Sequence, residues 1–162
     1  MKRTELYQTD FSGEIADSGC LVFSIARMIL GHLETVGHFY PWPSRDRFFW
    51  FLQEQHEDGV LSRTLHDREF GGYVRSHRRY GNGFLELLGF DNLQLEYIAA
   101  HYMQGEGRES WGSAENHDAT ILHVNTLSGN GHFRLWDYDP YPGAGISKVR
   151  DIRYYRFKGD LS

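Results

Sequence analysis

Cysteine occurs once in this chain, at position 20, so no intrachain disulfide can form and nothing suits the sequence to an oxidising compartment. Positive charge is in deficit: 17 Lys and Arg against 22 Asp and Glu leave a net charge of −5, which argues against nucleic acid as the main partner. No run approaches the roughly 20 consecutive apolar residues of a membrane span. Met1 to Gln8 carries charges with no apolar stretch behind them. A signal peptide is therefore not expected, and a cytoplasmic location is, short of export by a route the sequence does not show. Nine histidines are present, yet there is no His-x-x-x-His pair, no Cys-x-x-Cys and no His-Glu-x-x-His, so no metal is expected. Gly-x-Gly-x-x-Gly and Gly-Lys-Ser/Thr are missing too, which leaves nucleotide binding unsupported and no cofactor expected.

What the chain has is apolar and aromatic mass. Hydrophobic residues make up 40% and aromatics 15%, enough for the core of one domain spanning 1–162. Residues 1–16 are polar and read as an extended arm. Leu21, Ile25, Met28 and Ile29 fall on one helical face and predict a helix from Cys20 to about Glu34, with Ser18 or Asp17 as its cap. Pro41 and Pro43 fix an aromatic turn around Trp42. Ser44 then caps a second helix, Arg45 to His56, with Phe48, Phe49, Phe51 and Leu52 on its buried side. Val60 to Tyr80 has little periodicity, and its basic run Arg75-Ser76-His77-Arg78-Arg79 reads as a solvated face. Asn82 heads a short helix, Gly83 to Leu88, stopped by Gly89.

From Leu93 to Ile98 apolar and polar residues alternate, which marks a strand. Gln104 to Asn116 reads as a loop. Three more strands are expected at Ala119 to Thr126, His132 to Trp136 and Ile146 to Phe157, the first two joined by the hairpin signal Ser128-Gly129-Asn130-Gly131. Helices first and strands last is the α+β order, with N-terminal helices packed on a C-terminal antiparallel sheet.

The first turn of the Cys20 helix is where unpaired backbone N–H groups and the positive end of the helix dipole favour thiolate over thiol. A cysteine nucleophile also needs an imidazole to take its proton and a third group to orient that imidazole. The strand region offers His117, His123 and His132, followed by Asp137, Asp139 and Asp151. Three pairings stay open. His132 can pair with Asp139. With Ser128 to Gly131 as the turn, His117 begins one strand near where Asp139 ends the next. His132 can also face Asp151 across the Pro140 to Gly145 turn. His123 reads as a packed or surface residue, and Trp42, Trp111 and Trp136 as core or cleft aromatics.

Gln8, then Asp17-Ser18-Gly19-Cys20 heading a helix, then Gly131-His132-Phe133 and Asp139-Pro140-Tyr141 together resemble the papain-like cysteine peptidases. The resemblance is strongest to the bacterial branch that includes the bacteriocin-processing peptidase domains of export transporters and small bacterial and prophage proteins. It runs from about Gln8 to Tyr155 and implies a papain-like fold. It implies Cys20 as nucleophile, His132 as base and acid, and Asp139 as the group that orients the ring. The Gln8 amide and the Cys20 backbone N–H would bind the oxyanion. The family usually leaves a longer gap than the six residues between His132 and Asp139, so the aspartate here has to curl back. The implied function is a thiol hydrolase, a cysteine peptidase or amidase, acting on a peptide or protein substrate through an acyl-enzyme without a cofactor. A binding module that keeps the cleft without catalysis, and an acyl or γ-glutamyl transferase, are the alternatives.

Overall fold

Gly19 alone separates helix α1 (Gly13–Ser18) from helix α2 (Cys20–Thr35) in the computed structural model, which describes residues 2–68, 77–103 and 116–161. The expected extended arm is partly helical: Gln8–Asp10 forms a 3₁₀ turn and α1 follows it. Asp17 and Ser18 belong to the last turn of α1, so neither caps α2; the Ser18 hydroxyl donates to the Glu14 carboxylate instead. Gly19 holds the cap position because the junction is tight. A Cβ there would lie 2.5 Å from the Ile15 carbonyl oxygen and 3.2 Å from the Phe23 ring. Gly19→Ala is therefore expected to push the two helices apart, at a cost of about 1–3 kcal/mol. A lower melting temperature together with slower alkylation of Cys20 is the expected readout.

Leu21 to Ala26, Met28 to Leu30 and Leu33 are all buried, which is wider than one stripe. A helix so widely apolar is largely enclosed, and α4, β2 and β3 pack against α2. Helix α3 (Arg45–Glu57) opens at Ser44, whose hydroxyl accepts the Arg47 N–H at 3.1 Å. It buries Phe48, Phe51 and Leu52, whereas Phe49, expected inside, lies at the surface beside Trp50. Phe48 meets Phe23 and Trp42 edge-on at centroid separations of 5.1 and 5.6 Å, contacts that add about 0.5–1.5 kcal/mol each beyond burial. Helix α4 (Arg78–Leu87) starts earlier than the expected Gly83, and Asn82 does not cap it. The Asn82 Oδ1 accepts the Leu95 N–H at 2.7 Å and ties α4 to the sheet. Of the basic run, Arg78 and Arg79 form the first turn of α4, and Arg75 and Ser76 lie outside the described residues.

The sheet is fully antiparallel. Strands β1 (Leu93–Tyr102), β2 (Ala119–Asn125), β3 (Gly131–Arg134) and β4 (Lys148–Gly159) lie in the order β1-β4-β2-β3. The last strand inserts between the first two, running from Leu93↔Gly159 on one side and from Ala119↔Tyr155 on the other. The Pro140 to Gly145 turn therefore does not join neighbours, since β3 and β4 are not adjacent. β3 is an edge strand paired only from Leu122↔Arg134 to Asn125↔Gly131. Two hydrogen bonds seat α2 in this frame: the Ser24 hydroxyl donates to Phe133 O at 3.2 Å and the Tyr80 hydroxyl to Val22 O at 2.9 Å. The architecture is α+β, with four helices and a four-stranded antiparallel sheet among the described residues. None of the described helices is long and apolar enough to cross a membrane. Of the expected loop from Gln104 to Asn116, residues 104–115 lie outside the described residues.

Candidate functional site

The N-terminal segment reaches the site because its charges are pinned along the way. Arg3 donates to Tyr40 O at 3.0 Å and pairs with Glu34 at 3.0 Å. Glu5 takes the Arg27 guanidinium at 2.9 Å and the Trp42 indole N–H at 3.0 Å. Tyr7 stacks on Tyr138 with centroids 5.5 Å apart, and the Gln8 backbone N–H donates to Pro140 O at 3.0 Å. Gln8 is thereby buried beside the Asp139-Pro140 turn, and its side-chain Nε2 donates to Ala16 O at 2.8 Å.

His132 is the second residue of β3, opposite Val124. After Arg134 the chain reverses, with the Leu135 N–H donating to Tyr138 O at 2.8 Å, and this turn returns Asp139 to the strand it left. His132 Nε2 donates to Asp139 Oδ1 at 2.6 Å; the Tyr141 N–H donates to the same oxygen at 3.0 Å. Arg134 closes the arrangement. Its Nη1 reaches Asp139 Oδ2 at 3.3 Å, its Nε donates to Leu135 O at 2.9 Å, and its Nη2 donates to Trp136 O at 3.3 Å. Residues two apart on a strand share a face, so His132 and Arg134 point at one carboxylate from one side. Arg134→Ala removes a charged donor from a carboxylate and a turn at once. The expected loss is about 1–3 kcal/mol of stability, read as a lower denaturation midpoint, together with slower alkylation of Cys20 as Asp139 loosens.

With Nε2 committed to Asp139, Nδ1 is the ring nitrogen left for Cys20, which lines the same cleft. Burial disfavours a charged ring here, but the hydrogen bonds and charges of Asp139 and Cys20 outweigh it and push His132 up to about 9. Burial likewise works against the Asp139 carboxylate. The His132 hydrogen bond, the Tyr141 N–H and the charges of His132 and Arg134 prevail and hold it below its usual value. A thiol, an imidazole and a carboxylate in series can generate and orient a sulfur nucleophile.

No family model, no curated protein and no solved structure matches this chain. The chemistry therefore rests on the site's own residues.

Cys20, His132 and Gln8 line one open cleft of about 370 Å³. Its walls are the α1–α2 junction with Ala16 and Asp17, the β2–β3 hairpin from Ser128 to Gly131, and Tyr141 with Ala144. His117 is elsewhere. It lies exposed before β2, at the end away from the hairpin, with its ring edge-on to Tyr154 at 4.7 Å. The pairing of His117 with Asp139 fails because β3 stops at Arg134, so Asp139 never comes opposite residues 119–120. The pairing of His132 with Asp151 fails because β4 lies beside β2, where Asp151 bonds His123 at 2.8 Å and Arg153 at 3.1 Å. His123 is packed face-on to Phe133 at 4.4 Å. Trp42 is in the core, Trp136 is 62% exposed and forms no wall of the cleft, and Trp111 lies outside the described residues. Among the described residues no group of three or more His, Cys, Asp or Glu could hold a metal ion.

Arg134 and the cleft-wall positions of Asp17 and Tyr141 are not anticipated by sequence reasoning. Arg134 carried one usable signal, its period-2 spacing from His132. Asp17 and Tyr141 stand in the motifs around Cys20 and Asp139, but their place on the cleft wall depends on how α1 and the Pro140 turn fold over the hairpin.

Proposed function

We propose that this chain is a papain-like thiol hydrolase, a cysteine peptidase or amidase that opens an amide bond through an acyl-enzyme on Cys20. The observation that carries the reading is His132 bonded to the Asp139 carboxylate and lining one cleft with Cys20. The sulfur attacks the carbonyl carbon and the carbonyl oxygen takes the charge, facing the N-terminal backbone N–H groups of α2 and the Gln8 amide, donors of the kind that stabilise an oxyanion. The C–N bond breaks as His132 gives its proton to the leaving amine. A water then loses a proton to His132 and attacks the thioester, the C–S bond breaks, and the acid departs with Cys20 restored. A short six-residue gap from His132 to Asp139 favours a cleft without catalysis only where the aspartate cannot turn back to the ring. The Leu135–Tyr138 turn and the Arg134 clamp span that gap, which favours the enzyme.

A free thiol is only a few per cent ionised at neutral pH, whereas His132 in the same cleft can take the Cys20 proton as the sulfur attacks. Iodoacetamide at pH 7 is expected to alkylate Cys20 about tenfold faster than it alkylates a small free thiol, read by intact mass. His132→Ala should bring the rate down to or below that of the free thiol. Alkylation of the native protein slower than the free thiol would remove the basis of the hydrolase.

A further inference from the structure

We infer that the cleft selects substrates carrying a cationic amino group close to the scissile bond, held by Asp17 against the ring of Tyr141; this rests on the hydrolase reading above. Among the described residues that wall the cleft, Asp17 is the only ionisable acid or base apart from His132, Cys20 and the weakly acidic Tyr141, and none is Lys or Arg. Asp17 is exposed and makes no hydrogen bond or ion pair within the described residues, while its neighbours Glu14 and Ser18 bond each other. It sits about one helical turn before Cys20, so a group on it would lie near the bond under attack.

The other walls offer acceptors and an aromatic face. Tyr141 is 47% exposed at the cleft. Gln8 lines the same cleft, is 2% exposed, and its buried Oε1 has no hydrogen-bond partner. The hairpin wall is satisfied within itself: Thr126 and Ser128 hydroxyls bond at 3.0 Å, and Asn130 Nδ2 donates to Ser128 Oγ at 3.3 Å. A carboxylate and an aromatic ring face match an ammonium, which brings several N–H donors and a positive charge and needs no acceptor of its own. An anionic group would meet Asp17 with nothing on that wall to offset it.

Such an ammonium can belong to a peptide amino terminus or to a lysine side chain, and three chloromethyl ketones separate these sources. N-acetyl-alanyl chloromethyl ketone is neutral, alanyl chloromethyl ketone has a free α-amine, and N-acetyl-lysyl chloromethyl ketone has only the side-chain amine. In each, the Cys20 thiolate displaces chloride, forming a C–S bond as the C–Cl bond breaks, and the rate is read by intact mass on the full chain. One amine-bearing reagent is expected to react about 5–10 times faster than the neutral one, and that ratio should fall to near unity in Asp17→Asn. Preference for alanyl chloromethyl ketone assigns an amino terminus, and preference for the lysyl reagent assigns a lysine side chain. Rapid labelling with equal rates for all three reagents, or a preference unchanged in Asp17→Asn, overturns the inference and leaves the hydrolase standing. Labelling no faster than a small free thiol by every reagent overturns the hydrolase and the inference with it.

Discussion

Cys20→Ala is expected to preserve the fold and remove turnover entirely, lowering the rate on any amide the wild type cleaves by a factor on the order of 10⁴ or more. The asymmetry follows from where the thiol sits. Cys20 is only half-buried, at the edge of the core cluster, so alanine removes one sulfur without opening a closed cavity. The helix behind it is held by Leu21 to Ala26 and by the Tyr80 and Ser24 hydrogen bonds, none of which involves the sulfur. Destabilisation of about 1 kcal/mol is expected, well under the cost of emptying a fully buried site. No other cysteine exists in the sequence to take over. A melting temperature within a few degrees of wild type, with all hydrolysis and all labelling gone, is the expected pair of results. Residual hydrolysis at a tenth of the wild-type rate would show that Cys20 is not the nucleophile.

The central helix and the strand-rich second half are legible in the sequence because each rests on local periodicity. Cys20–Thr35 and Arg45–Glu57 match the helices expected from apolar spacing and from the Ser44 cap. Leu93–Tyr102 contains the alternating stretch Leu93 to Ile98, and Ala119–Asn125 matches the strand expected from Ala119 to Thr126. What escaped was set by contacts between distant segments. α1 is short and its one buried residue, Ile15, gives no pattern to read. α4 begins at Arg78 although its first turn is basic, because Tyr80 is buried and its hydroxyl bonds α2. The insertion of β4 between β1 and β2 leaves no trace in strand order along the chain, yet it decides that Asp151 meets His123 rather than His132. The choice among the histidines was therefore a question of sheet topology, not of motif spacing. Phe49 failed for a simpler reason: four apolar residues in five positions cannot all face inward on a helix with one buried side.

Asp139→Ala is expected to cost about 10²- to 10⁴-fold in turnover and to change the pH dependence of what remains. The carboxylate accepts from His132 Nε2, and its hydrogen bond and charge are among the forces that overcome burial and lift His132 from 6.5 to about 9. Removing it lowers the His132 midpoint, so the alkaline limb of the rate profile, expected near pH 9 in the wild type, moves towards neutrality. Arg134 would also be left facing the ring with its charge no longer offset, which disfavours the imidazolium further. Stability follows the same signs. His132 has a raised folded pKa, so its contribution is complete below pH 6.5 and drains away as pH rises through 9. Asp139 has a lowered folded pKa, so its contribution is complete above 3.8 and is lost as pH falls through its folded value. The stability gap between wild type and Asp139→Ala is accordingly widest from about pH 4 to 6.5 and narrows on either side. Chemical denaturation at pH 5.5 and pH 9.5 measures the gap directly, and NMR titration of the His132 ring measures its cause. A gap unchanged between those two pH values, with the His132 midpoint unmoved, would show that Asp139 neither charges nor orients the ring.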